Sequence, residues 1–391
     1  MNDSDRYLPK LPLRLSAIIT LVSWLAGCSA PVELRYTERE DLKQLPEKHQ
    51  KQIHASLDEY FGTARFPKYM VLAPADQQPE NAAKPKLLEK ETQRQLLHGQ
   101  LVYLNQCAGC HGVSGDGQGP AAKFLDPPPR DYRLGKFKFT STPRGTKPRL
   151  ADLERIIRRG AKGTSMPAFR WMAHDDLEAV IDYVMLLSSR GELEYRLGQV
   201  AQNELGEEDD LPAELVAEHA QGIAMSWDEA ESQIVRPLTR EITSSPETIA
   251  AGAKAFVQLN CYKCHGRDGQ GNKAFNVGKD DWGRTVQAAD LTTGTLHGGG
   301  RPIDIYRRIY SGINATPMPA FAQPDSAKGE TAEQRSDTIW HLTHFITAVA
   351  KGEPLPLEVI DAEIREQLKN QPAATDPPAG DDSNNNAAKS E

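Results

Sequence analysis

Only five of the 391 residues are cysteine, and after position 27 no apolar run is long enough to cross a bilayer. A second thing missing is an excess of basic charge. Lys and Arg number 46 against 54 Asp and Glu, a formal net charge of −8, which argues against a nucleic-acid partner. The glycine-rich stretches, Gly298 to Gly300 and two Gly-Gln-Gly loops, lack the strand-to-helix setting of a nucleotide-binding fingerprint. What remains is ordinary for a soluble chain, 39% apolar and 26% charged, and long enough for two domains.

The few cysteines are not scattered. Cys107-Ala-Gly-Cys110-His111 returns 154 residues later as Cys261-Tyr-Lys-Cys264-His265. This spacing is the attachment signature of c-type haem: two thiols reach two vinyl groups of one porphyrin, and the adjacent imidazole comes up beneath the iron. Each copy also has a thioether downstream. Met166 in Gly163-Thr-Ser-Met-Pro-Ala-Phe169 lies 55 residues after His111, and Met318 in Ala315-Thr-Pro-Met-Pro-Ala-Phe321 lies 53 after His265. Met318 has no methionine rival in the second half. Met172 and Met185 compete in the first and read more simply as packing residues. Zinc or disulfide exchange would also use Cys-x-x-Cys pairs, but either would leave both histidines and both Met-Pro-Ala-Phe segments unexplained.

The fifth cysteine has its own setting. Arg6, Lys10 and Arg14 precede an apolar stretch from Leu15 to Leu25, and Leu25-Ala-Gly-Cys28 ends it. This resembles a bacterial lipoprotein signal, which implies cleavage before Cys28 and lipidation of its thiol. The run spans about 11 residues, short of the roughly 20 that a transmembrane anchor needs. The expected location is the bacterial cell envelope, on the periplasmic side, with the chain tethered to a membrane through its lipid.

The repeat extends beyond the cysteines. Asp116-Gly-Gln-Gly119 matches Asp268-Gly-Gln-Gly271, and Asp152 to Gly160 matches Asp304 to Gly312, each closing glycine six residues before its methionine. Both halves read as helix, glycine-rich loop, helix, methionine loop, helix. Helices are expected over Thr92 to Gln106 and Pro246 to Asn260, where Gly99 and Gly252 would permit close crossing of the last helices, Asp175 to Ser188 and Ser336 to Ala350. Asp152 and Asp304 are expected as N-caps and Gly160 and Gly312 as C-caps. Another amphipathic helix is expected from Pro46 to Tyr60. Charge separates along the chain: residues 86 to 190 hold 17 Lys/Arg against 11 Asp/Glu, whereas residues 191 to 235 hold 12 acids and Arg196 alone. The acidic stretch reads as a solvated brace between domains, ahead of a binding site for a cationic partner. Arg155, Arg158 and Arg159, with Lys136 and Lys138, read as a solvated face or a steering surface for an acidic redox partner.

Each half resembles a class I cytochrome c domain, and the pair resembles a dihaem cytochrome c of a bacterial respiratory chain. The resemblance implies an all-α fold of two tandem domains; composition and charge add an acidic helical connector between them and a disordered tail after them. The expected organisation is a signal peptide over 1–27, a tether with a short helix over 28–88, cytochrome c domains over 89–190 and 245–351, the connector over 191–244, and a C-terminal helix and tail over 352–391. It implies two covalently bound haem c groups, one on Cys107 and Cys110 with His111 and Met166 on the iron, the other on Cys261 and Cys264 with His265 and Met318. Pro120 matches the family's proline whose carbonyl holds the proximal histidine, and Asn272 stands in its place in the second half. The first half also carries a rigid loop, Leu125-Asp-Pro-Pro-Pro-Arg-Asp131, that the second lacks, so the haems are expected to differ in potential. The function implied is one-electron transfer, not enzymatic turnover, from a quinol-oxidising or other dehydrogenase complex to a terminal acceptor such as a cytochrome oxidase. The alternatives are a dihaem enzyme, peroxidase or small-molecule dehydrogenase, and a cytochrome subunit bound permanently to a larger oxidoreductase.

Overall fold

A computed structural model describes residues 34–73, 87–89 and 93–369. The expected signal peptide, Cys28 and the expected tail from 371 onward lie outside the described residues. Among those described the fold is helical, with eleven α-helices and one two-stranded antiparallel ribbon, β1 (Met70–Leu72) on β2 (Leu87–Glu89). No described helix is long and apolar enough to cross a membrane.

Two glycines set the architecture. Helix α2 (Gln93–Gln106) crosses α5 (His174–Asn203), and α7 (Pro246–Gln258) crosses α10 (Ala332–Lys351). A Cβ on Gly99 would lie 2.0 Å from the carbonyl oxygen of Ala179, and one on Gly252 would lie 2.1 Å from that of His341. Only a residue without a side chain lets the backbones touch this closely. One turn further along, Tyr103 meets Tyr183 with ring centroids 5.4 Å apart, and Phe256 meets Phe345 at 5.1 Å. The two crossings are copies of each other.

Between the crossing helices sit α3 (Ala108–His111) and α4 (Leu150–Arg159) in the first half, and α8 (Cys261–His265) and α9 (Pro302–Ser311) in the second. Gly160 and Gly312 end α4 and α9 at φ +67°, as expected of C-caps. Asp152 and Asp304 are not N-caps. Arg149 and Arg301 occupy that position, and each aspartate sits three residues in, where its carboxylate can reach back over the first turn. Asp152 accepts from the Arg149 and Ser141 amides at 3.3 and 2.7 Å, and Asp304 from the Arg301 guanidinium at 2.8 and 2.9 Å.

The apolar side chains form two cores. The first runs from Leu42 to Trp227, taking in α1 (Glu47–Phe61) and α6 (Ala213–Ala230); the second runs from Val235 to Ile360 and includes α11 (Leu357–Lys369). Helix α1 ends at Gly62 and buries Ile53, Leu57 and Phe61 in the first core, largely against α5. Helix α5 continues well past Ser188. Gly191 packs directly on Arg133, Leu193 and Leu197 extend the buried stripe, and Trp227 on α6 donates to Ser189 at 3.0 Å. The acidic stretch therefore begins inside the protein, correcting its reading as a wholly solvated brace. Glu192 is buried in an ion pair with Lys147, and Glu194 is fully buried beside Arg190.

Candidate haem sites

In each half a short helical turn carries two thiols and an imidazole. Cys107 accepts from the His111 amide at 2.9 Å, so positions 107, 110 and 111 share one helix face. Gly112 and Gly266, at φ +76° and +73°, end the two turns. Among the described residues no disulfide joins the four cysteines. Burial pushes the Cys107 thiol up to about 11 and the Cys261 thiol up to about 12. Among the described residues no three His, Cys, Asp or Glu side chains converge on a metal-sized site.

The two motif histidines are held by backbone, but not by the expected residues. His111 Nδ1 lies 3.1 Å from the Arg130 carbonyl, and His265 Nδ1 lies 3.2 Å from that of Ala289. Neither Pro120 nor Asn272 is the acceptor. The reason is one of register. Gly117 and Gly271 each donate to the carbonyl of their own histidine, at 2.9 and 2.8 Å, so the structural equivalents lie six residues past His111 and His265. The repeated Asp-Gly-Gln-Gly strings are offset from this register by two residues. Beyond them, Tyr132 donates to Gly115 and Leu291 to Gly269, at 2.7 and 2.8 Å, bringing the preceding Arg130 and Ala289 under the imidazoles. A proton on Nδ1 fixed by a carbonyl leaves Nε2 as the metal-binding nitrogen. Burial also pushes both imidazole pKa values down, favouring the neutral, ligating form.

The methionine loops match hydrogen bond for hydrogen bond. The Met166 carbonyl accepts from Ala161 and that of Met318 from Ile313, both at 3.3 Å. The Met166 and Met318 amides donate to Thr164 and Thr316 hydroxyls at 3.1 and 3.3 Å. A Cβ on Gly160 or Gly312 would come within 2.6 Å of the methionine carbonyl, which explains the fixed six-residue spacing. Both methionines are half-buried. Met185 is buried in the first core and Met172 packs against it. Two protonatable thiols, an oriented imidazole and a loop-borne thioether in each half are a donor set that fits covalently attached haem.

The cytochrome c family model matches residues 96–188 and 249–349, one stretch around each of these constellations. The chain carries two cytochrome c domains in tandem. Such domains imply covalently bound haem c. A chain of the Kuenenia stuttgartiensis reducing HAO-like protein complex is similar at 28% identity, over 64% of this chain and 95% of that one, with a TM-score of 0.46. No curated protein matches.

The two cytochrome c domains face each other across a dense polar seam. Lys136 and Lys138 of the first pair with Asp281 and Asp280 of the second, the latter at 3.4 Å, and Arg155 pairs with Asp304 at 3.2 Å. Most of the basic set that read as a steering or solvated face is thus turned inward on the partner domain. Trp282 stacks under the Arg130 guanidinium, 4.1 Å from ring centroid to carbon, and donates to the Asp131 carbonyl at 3.3 Å. These carbonyls and side chains escaped the sequence reading. One signal was present: His111 and Arg130 are 19 positions apart, His265 and Ala289 are 24, and the longer interval holds Trp282.

Proposed function

We propose that the protein relays single electrons between two haem c groups, the first ligated by His111 and Met166 and the second by His265 and Met318. Each haem, when bound, supplies a one-electron ferric/ferrous couple. The observation that carries the reading is the duplicated methionine loop. A threonine hydroxyl and a glycine-capped helix fix each methionine backbone identically, as expected if a thioether is to close each iron against small ligands. A neutral thioether also favours the reduced state, which suits transfer from a quinol-oxidising or other dehydrogenase complex to a terminal oxidase. Lipidation of Cys28 would hold the relay at a membrane on the periplasmic side, in keeping with the basic, apolar and small-residue pattern before it.

The test is a redox titration of the full holoprotein, following the visible bands and the weak sulfur-to-iron band in the far red, with carbon monoxide added at half reduction. Two low-spin steps, both insensitive to carbon monoxide, are the expected result. One high-spin or carbon-monoxide-sensitive haem would replace the relay with a dihaem enzyme whose substrate reaches iron.

A further inference from the structure

The two methionine loops are alike internally and differ in what grips them from outside. In the second domain the carbonyls of Ile313, Thr316 and Met318 all point to one side chain, and it belongs to the first domain. Arg144 donates through one guanidinium nitrogen to Ile313 at 3.3 Å and to Met318, and through the other to Thr316 at 2.7 Å. Its neighbour reinforces the hold: the Gly145 amide donates to the Asn314 side chain at 2.8 Å, and Asn314 donates in turn to the Phe137 carbonyl at 3.2 Å. The first domain's loop has a different neighbour. Gly163 lies where a side chain would meet Thr295 and His297 of the second domain, 2.3 and 2.9 Å away. That approach is by contact with a methyl group and a ring, and it passes no charge to the loop.

We propose that Arg144 is a positioning residue acting across the domain seam, holding the Met318 loop in its ligating conformation and setting the potential of the second haem. The inference rests on Met318 being the sixth ligand. A planar guanidinium presents five N–H groups in a rigid fork, which is what three convergent carbonyls require. Two consequences act in the same direction. The grip keeps the thioether in place, and a fixed positive charge beside the loop disfavours the ferric state; both raise the second potential. The first domain thus controls a property of the second through the loop that carries Met318.

The experiment uses the full-length holoprotein carrying Met166→His, so that any remaining far-red sulfur-to-iron band belongs to the second haem. In that background Arg144→Ala, Arg144→Lys and Met318→Ala are compared by the band, its loss on warming and a potentiometric titration. Arg144→Ala is expected to weaken the band, to make it vanish at a lower temperature and to lower the potential of the second haem while leaving the first in place. Arg144→Lys is expected to behave like the alanine variant for the band, because one ammonium cannot bridge three carbonyls. A band lost in Met318→Ala but intact in Arg144→Ala would overturn the clamp alone. A band that survives Met318→Ala would overturn the ligand reading and the clamp with it. Full restoration by lysine, or equal shifts of both haems, would replace positioning with simple charge or general loosening.

Discussion

His111 of the first domain is 8% exposed and stacked at 4.8 Å on Tyr132, which continues through Phe137 to Trp227 on the connector helix. The equivalent histidine of the second domain is half-buried, and Leu291 takes the place of Tyr132. The backbone beneath them is the same in both: a carbonyl under each imidazole, a glycine at each helix crossing, a threonine hydroxyl under each methionine amide. Duplication has preserved what the backbone must do and released what the side chains around it do. Burial of His111 and the half-buried Arg130 beside it both disfavour a ferric charge, and the exposed Arg144 beside the other loop is the more screened of the two charges, so the first haem is expected to be reduced at the higher potential.

The largest blow to this comparison falls on the shared part. Gly99→Ala and Gly252→Ala each force a methyl group into a carbonyl of the crossing helix and are expected to cost about 3 kcal/mol by overpacking. Thermal unfolding of the holoproteins should show similar losses for both, and a loss in only one would show that the crossings are not equivalent. A smaller change sharpens the difference between the domains. Tyr132→Leu gives the first histidine the neighbour that the second already has, at a cost of about 2 kcal/mol for the space left. The two reduction steps should then draw closer together in a potentiometric titration.

The smallest expected effect is a dependence on pH carried by the first domain. Glu194 is fully buried with neither carboxyl oxygen hydrogen-bonded; burial pushes its pKa up against the opposing charges of Arg190, Arg133 and Arg39. A carboxyl whose pKa is higher folded than unfolded contributes stability that is present below its ordinary value and is lost as pH rises through the folded one. Midpoints of denaturant unfolding should therefore decline across that window, and Glu194→Gln should flatten the decline. The second domain has no counterpart on its last helix, which ends at Lys351.

Much of this was legible in the residues because duplication printed each constraint twice. The Cys-x-x-Cys-His turns, the crossing glycines and the glycines six positions before the methionines all answer to requirements that no other residue type meets. Backbone acceptors leave no such trace. Any residue has a carbonyl, so Arg130 and Ala289 under the histidines could not be told from Pro120 and Asn272, and the identical Asp-Gly-Gln-Gly strings suggested a register two residues off. Contacts between distant segments were equally silent. Lys136, Lys138 and Arg155 read as a surface because their partners, Asp281, Asp280 and Asp304, lie over a hundred positions away. Glu192 and Glu194 belonged to an acidic run, and only the packing of Gly191 on Arg133 draws them into the core.

The excursion from Gly278 to Val286 closes on itself, with Val286 donating to Gly278 at 2.9 Å and Asp280 to Arg284 at 2.9 Å, and it carries Trp282 onto the first domain. On its other side the Asp281 amide donates to Ala315 in the methionine loop, at 3.1 Å. This part of the joint is therefore written into one half only. Copying the first half onto itself would yield two units without this key, whereas the second half uses the Arg130–Asp131 segment as its socket. The pair is a plug and a socket cut from one pattern.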